Sequence, residues 1–253
     1  MPSAYLLVSH GSRDPRPQIA MEQLSCLLSH LQIVTKTVAG EQRRRVALEN
    51  HQLRITVGTA YLELSPTPLH EQIIEFADRA LVQGYKRIKI VPLFLLSGVH
   101  VMEDIPAEVA IAQKTLGQAI KLDITPHLGT HPGLVGLLAQ QVNRKAQKWI
   151  LLAHGSRRAG AKEPVEAIAG QLGALSAYWA VAPSLESRVQ KLAGTGYQEI
   201  GIIPYFLFAG GITDAIAQTV DQLQEKFPSV RLHLAQPLGA SQELADLILD
   251  LVD

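Results

Sequence analysis

The chain of 253 residues repeats its own landmarks in order. Residues 6–13 read LLVSHGSR, and residues 151–158 read LLAHGSRR. AYLELSPTPL at 60–69 returns as AYWAVAPSL at 177–185, and GYKRIKIVPLFLLSGVH at 84–100 returns as GYQEIGIIPYFLFAGGI at 196–212. Shared composition does not place such landmarks in one order twice, so the sequence reads as a tandem duplication. A duplicated chain of this length has to fold as two similar units, and it is long enough for each to bury a core. The seam falls near 130–149. Residues 1–130 are expected to form the first half and residues 131–253 a second, degenerate copy.

Within each half, short apolar runs alternate with amphipathic helical patterns. Strands are expected at 5–9, 54–60, 88–94 and 121–125, and again at 150–153, 175–180, 200–206 and 230–235. Helices are expected at 16–34, 69–83, 103–118 and 132–147, then at 163–172, 184–194, 214–226 and 241–252. Strands this continuously apolar, separated by helices, belong in parallel sheets covered on both faces. The fold class is therefore α/β, with two similar halves that each carry a parallel four-stranded sheet flanked by helices and face one another across a cleft. One stretch of the first half, KTVAGEQRRRVALENHQ at 36–52, has no counterpart in the second and reads as a solvated insertion.

Composition narrows the function classes. Acidic and basic residues balance at 23 each, so no general polyanion-binding surface, and hence no nucleic acid partner, is expected. The one cysteine, Cys26, excludes an intramolecular disulfide and any cysteine-ligated cluster. A reducing cytoplasm is expected. The N-terminus lacks the basic lead of a secretory signal, and no apolar run approaches the ~18 residues of a membrane span.

The candidate site lies where the strands end. In an open parallel sheet the ligand crevice lies outside the carboxyl ends of the strands. His10 follows the first strand, Glu63 the second, and His100 the third, so one sheet edge gathers all three. The second half is an internal control: His154 matches His10, but Ala180 stands at the place of Glu63 and Ile212 at that of His100. A single site in the first half follows. Two imidazoles and a carboxylate suit a first-row divalent ion, and three protein ligands leave positions open for substrate. Around them, the apolar PLFLLSGV and PYFLFAGG loops suit a large, flat, apolar ligand, with glycines permitting close backbone approach. The HGSR loops open helices, whose amides favour anions, and Arg13, Arg16, Arg157 and Arg158 stand near them. Glu103 and Asp104 suit the positive end of the next helix, with support of the metal site as the minority reading. His127 and His131 read as loop histidines with satisfied partners rather than a second metal contact.

HGSRDPR, AYLEL and PLFLLSGVHVMEDIP together resemble the class II tetrapyrrole chelatases, over nearly the whole chain. The closest likeness is to the sirohydrochlorin cobaltochelatase and ferrochelatase group in its long, two-half form. The resemblance implies a chelatase-like fold of two flavodoxin-like halves. It implies insertion of Fe2+ or Co2+ into sirohydrochlorin, an anionic tetrapyrrole, in siroheme or cobalamin biosynthesis, with Ni2+ as a further possible ion. By motif, His10 is implied as metal ligand and proton acceptor, Glu63 as the residue that orients metal or takes a pyrrole proton, and His100 as second metal ligand. Leu95, Leu96, Ser97, Gly98 and Val99, with Ser12 and Arg13, are implied to contact the ring. The ion is substrate, and no permanently bound cofactor is implied: the iron–sulfur cysteines and histidine-rich tail of some long members are missing here. Because the fused halves complete a cleft, a monomer is expected.

Three rival readings remain at this level. A non-catalytic metal or tetrapyrrole carrier has the same site residues. A phosphate-handling enzyme with a nucleophilic histidine fits HGSR but not the apolar loops. A purely structural protein leaves the asymmetric loss of Glu and His unexplained.

Overall fold

A computed structural model describes residues 3–30, 56–142, 145–158 and 160–252, and the 36–52 stretch lies outside them. The first half runs β1 (Ala4–Ser9), α1 (Pro15–His30), β2 (Val57–Tyr61), α2 (Leu69–Val82), β3 (Arg87–Pro92), α3 (Ile105–Leu116), β4 (Lys121–Ile124) and α4 (Gly133–Ala139), the last lying past the expected boundary at 130 but following β4 as α8 follows β8. The second runs β5 (Lys148–Ala153), α5 (Glu163–Gln171), β6 (Leu175–Tyr178), α6 (Leu185–Gly194), β7 (Glu199–Pro204), α7 (Gly211–Lys226), β8 (Arg231–Leu234) and α8 (Gln242–Val252). Among the described residues these form two parallel four-stranded sheets, ordered β2-β1-β3-β4 and β6-β5-β7-β8. The duplication read in the sequence is thus a duplication of topology. It extends to single hydrogen bonds: Leu93 N–H donates to the Val8 carbonyl at 2.8 Å, and Tyr205 N–H to that of Leu152 at 2.8 Å.

Several boundaries differ from the sequence expectation. α3 is preceded by a π-helical turn, His100–Asp104, in which the Ile105 N–H reaches back to the His100 carbonyl. His100 therefore begins a helical segment instead of lying in a free loop. α7 starts at Gly211, earlier than expected, because the Thr213 hydroxyl bonds both the N–H and the carbonyl of Gly210 and closes the first turn. The helix expected over 132–147 is described only as Gly133–Ala139. Leu134 and Leu138 bury its apolar stripe, and beyond it Val142 and Ala146 pack against the same core without continuing the helix.

Side chains alternate between the two faces of each sheet, as the period-2 pleat requires. Leu6 and Val8 of β1 point towards α2 and α3, meeting Ile73, Phe76, Ile105 and Val109. Leu7 points the other way, into a core with Met21, Leu24 and Leu28 of α1 and with Leu244, Ala245, Ile248 and Val252 of α8. The last helix of the chain thus completes the first half. The converse holds for α4, whose Leu134 and Leu138 join the core of Trp149, Leu151 and Ala153 on β5 and Val165 and Ile168 on α5. The remaining face of the second sheet is covered by its own α6 and α7 through Val189, Leu192, Ile216 and Val220. Each half gives its final helix to the other.

Two polar links reinforce this exchange. The Tyr205 hydroxyl, buried and held well above the usual tyrosine range, donates to the Leu95 carbonyl at 3.2 Å. The Arg16 guanidinium donates to both carboxylate oxygens of Asp214 in the second half, at 2.9 and 2.5 Å, while its Nε donates to Asp14 at 3.0 Å. Arg16 is thereby a strap between the halves and is not available as a free cation for an anionic ligand. No helix among the described residues is long and apolar enough to cross a membrane.

Ile248 is 1% exposed. Ile248→Ala is expected to cost about 2–5 kcal/mol in urea denaturation, with both halves unfolding in one transition; a fragment of residues 1–130 that unfolds at the same midpoint as the whole chain would contradict the exchange. The strap sets a pH dependence. Arg16 holds the Asp14 carboxyl at about 2, below the ordinary 3.8, and lowers that of Asp214 as well. Depressed carboxylates stabilise the fold above their unfolded value and lose that contribution as pH falls through the folded one. Stability is therefore expected to fall between about pH 4 and 2, and Arg16→Ala to flatten that slope in thermal melts.

Candidate metal centre

Three strand ends deliver the site. His10 follows β1, Glu63 lies two residues past the end of β2, and His100 opens the turn beyond β3. The Glu63 N–H donates to the His10 carbonyl at 2.8 Å, extending the β1–β2 ladder past the sheet and fixing the two residues side by side. The second half makes the same bond between Ala180 and His154, also at 2.8 Å, so the backbone of the site is duplicated while its ligands are not. Gly11 makes the close approach possible. Its φ is +99°, and a Cβ there would overlap the Glu63 carbonyl oxygen. One residue past Glu63 the chain passes Leu64 at φ +57°, a left-handed conformation that a side-chain-bearing residue adopts at a cost of order 1–3 kcal/mol. The turn that presents the carboxylate is held under strain.

The side chains converge. His10 Nε2 lies 3.6 Å from Glu63 Oε2, and His100 Nε2 lies 3.9 Å from Glu63 Oε1. The imidazole rings meet edge to face, with centroids 4.9 Å apart. One ligand atom from each of the three residues lies within 4.8 Å of the others, and no other group of three or more such residues among the described ones meets that condition. Half of the His10 and Glu63 side-chain surfaces remain open to solvent. A metal held here keeps coordination positions free towards the cleft.

Asp104 supplies what the sequence only hinted at. Its Oδ2 accepts from His100 Nδ1 at 2.7 Å. The proton is thereby held on Nδ1, and the Nε2 lone pair faces Glu63 and His10. The π-helical turn brings His100 and Asp104 together on one face, a use of this rare geometry common at functional sites. Glu103 beside it makes no such bond.

The remaining expected residues separate into groups. Ser12 lines a cleft of about 390 Å3 between the halves, with His10 on one side and His154, Phe206 and Phe208 on the other. Leu96, Ser97 and Gly98 line a second lobe of about 380 Å3 with His100. Val99 is exposed beside it, at 41%. Leu95 sits apart, packed against the cores of both halves. Arg13 is exposed on the loop after His10, with no side-chain partner among the described residues. His131 accepts the Gly133 N–H on Nδ1 at 3.0 Å and turns Nε2 towards Asp250, so it is a satisfied loop histidine. Burial lowers the pKa of His127, which favours its neutral form.

Asp104→Ala is expected to weaken Co2+ binding by about 10–100-fold, followed through the visible absorption of the ion, whereas Glu103→Ala leaves it unchanged. Equal losses in both would show that the His100–Asp104 bond does not orient the ligand.

The CbiX family model matches residues 4–145 and 148–253. Over 202 residues the chain is 28% identical to the sirohydrochlorin ferrochelatase of Priestia megaterium, a match that spans 74% of this chain and 73% of that protein. Over 262 residues it is 21% identical to the sirohydrochlorin cobaltochelatase of the same organism, spanning 96% and 76%. SirB from Bacillus subtilis with Fe3+ superposes with a TM-score of 0.73 at 20% identity, covering 100% of this chain and 94% of that one. At that identity the structural likeness speaks for the fold.

Proposed function

The chain belongs to the CbiX family, whose model covers both of its halves, and on that premise we propose that it is a sirohydrochlorin chelatase, an enzyme that inserts Fe2+ or Co2+ into the ring with release of two protons. Ni2+ is a further competent ion for the same donors. One observation carries the reading: two imidazole nitrogens and a carboxylate converge beside an apolar cleft that His10 lines, with half of the His10 and Glu63 surfaces still open.

The chemistry follows from that placement. The ion arrives hydrated and has to exchange water for ring nitrogens. His10 Nε2, His100 Nε2 and Glu63 replace part of its water in advance, while the open side leaves room for the ring. Partly exposed, non-thiolate ligands release an ion more readily than a closed cysteine site. Asp104 keeps His100 in the ligating tautomer. As the metal passes to the ring, the pyrrole N–H protons leave. His10 and Glu63, freed of metal, are bases at the right edge to accept them, since a neutral imidazole either ligates or takes a proton. Leu96, Ser97, Gly98 and Val99 contact the ring at one lobe and Ser12 at the other, with Arg13 near its acidic rim; Leu95 supports that loop from beneath. The metal is substrate and leaves in the product, so no resident cofactor is needed. Because one chain supplies both walls of the cleft, the working unit is a monomer. The lone cysteine and balanced charge suit a cytoplasmic enzyme with no nucleic acid or membrane partner.

Anaerobic mixing of the protein with sirohydrochlorin and Fe2+, Co2+ or Ni2+, followed by visible absorbance, tests the reading. Insertion above background is expected, reduced at least about 100-fold in His10→Ala and His100→Ala, with Co2+ affinity retained in His154→Ala. A ring that binds without any rate above background would make the protein a carrier.

A further inference from the structure

The second lobe of the cleft is built by both halves. His100, Leu96 and Gly98 form one wall, and Ser156 and Arg158 form the other. The cavity beyond it, of about 510 Å3, shares Ser156 and Arg158 and adds Arg157 and Lys162. A ligand that touches His100 in this lobe therefore lies opposite a permanent cation.

The repeat shows how unusual that cation is. Ser12 and Ser156 make the same local turn: the Asp14 N–H donates to Ser12 Oγ at 3.0 Å and the Arg158 N–H to Ser156 Oγ at 3.2 Å. Asp14 and Arg158 are thus the same position in two copies, with opposite charge. In the first half the acid is spent on Arg16, which is neutralised twice over by Asp14 and Asp214. In the second half the Arg158 guanidinium has no partner among the described residues. Its neighbour Lys162 is already engaged, with Nζ donating to the Ala182 carbonyl at 2.6 Å and lying 5.3 Å from the Tyr178 ring centre. Arg158 is the unengaged cation that shares a cavity with a metal-site residue.

We propose that Arg158 is a specificity-determining residue: it binds a peripheral carboxylate of the tetrapyrrole and so seats the ring centre against His100. This rests on the chelatase reading. A ring carboxylate is ionised at neutral pH, since its ordinary pKa is about 4. The guanidinium fork receives such a group through two parallel hydrogen bonds, which fixes direction as well as distance. Binding at the rim holds the ring while its centre reacts, a use of remote binding that positions the reacting atoms. A ring whose carboxylates are esterified loses that anchor.

The test is steady-state insertion of Co2+ by the full-length protein, with sirohydrochlorin and its methyl ester as the two rings. Arg158→Ala is expected to raise the KM for sirohydrochlorin about 10–100-fold while kcat stays within about 3-fold, and to erase most of the preference for the acid over the ester. Arg158→Lys is expected to recover only part, because a point charge lacks the fork. Lys114→Ala, which removes one charge from the exposed side of α3, controls for net charge and is expected to leave both values unchanged. Co2+ affinity without ring and the melting temperature are expected to be unchanged in Arg158→Ala, which separates anchoring from a folding role. Normal wild-type turnover with an unchanged KM in Arg158→Ala would overturn the anchor and leave the chelatase standing. No wild-type turnover would overturn the chelatase, and ring binding followed by absorbance in Arg158→Ala would still decide the anchor.

Discussion

Leu7, Val91 and Leu93 line a face of the first sheet that is packed jointly by α1 and by α8, the last helix of the chain. The second sheet depends in the same way on Leu134 and Leu138 of α4. This reciprocal exchange is the constraint on which the site rests. It fixes the two carboxyl sheet edges relative to each other, since neither half completes its apolar core without the other. Burial of that kind is non-directional but large, of order 1.5–3 kcal/mol for each fully buried Leu or Ile. The cleft between the halves is therefore a stable feature of the folded chain and not a gap between loosely tethered domains.

Within that frame the site is made by small backbone devices. The Glu63–His10 hydrogen bond, the glycine at position 11 and the strained turn at Leu64 set the carboxylate beside the first imidazole. The π-helical turn sets the second imidazole and gives it Asp104 as partner. The second half retains the equivalent of the first device without the ligands. Ala180 donates to His154 where Glu63 donates to His10, so the scaffold is duplicated while the His/Glu/His set is not. Ile212, at the place of His100, joins Phe206 and Phe208 in an apolar wall that shares the cleft with His10.

Charge is partitioned by the same asymmetry. The loop after β1 keeps its acid and uses it, through Arg16 and Asp214, to tie the halves. The loop after β5 carries Arg158 at that position and leaves it open to the cleft. One duplicated turn thus serves as a strap in one copy and presents a cation in the other, and the difference lies at two places, Asp14 against Arg158 and Arg16 against Gly160.

The sequence by itself determined the duplication, the parallel α/β halves, and the gathering of His10, Glu63 and His100 at one sheet edge. These were legible because strand periodicity is local and because parallel topology sends every strand's carboxyl end the same way. It did not reveal Asp104 as the partner of His100: the pair is spaced four residues apart, but the preference for it depends on a π-helical turn that no local pattern announces. Nor did it show Arg16 as a strap. Asp214 lies 198 positions away, and four arginines near two similar loops look alike until their neighbours are known. The exchange of α4 and α8 was equally hidden, because an amphipathic helix states that it has an apolar face and not which sheet will cover it. Those decisions belong to tertiary structure, where contacts are set by proximity in space and sequence separation carries no information.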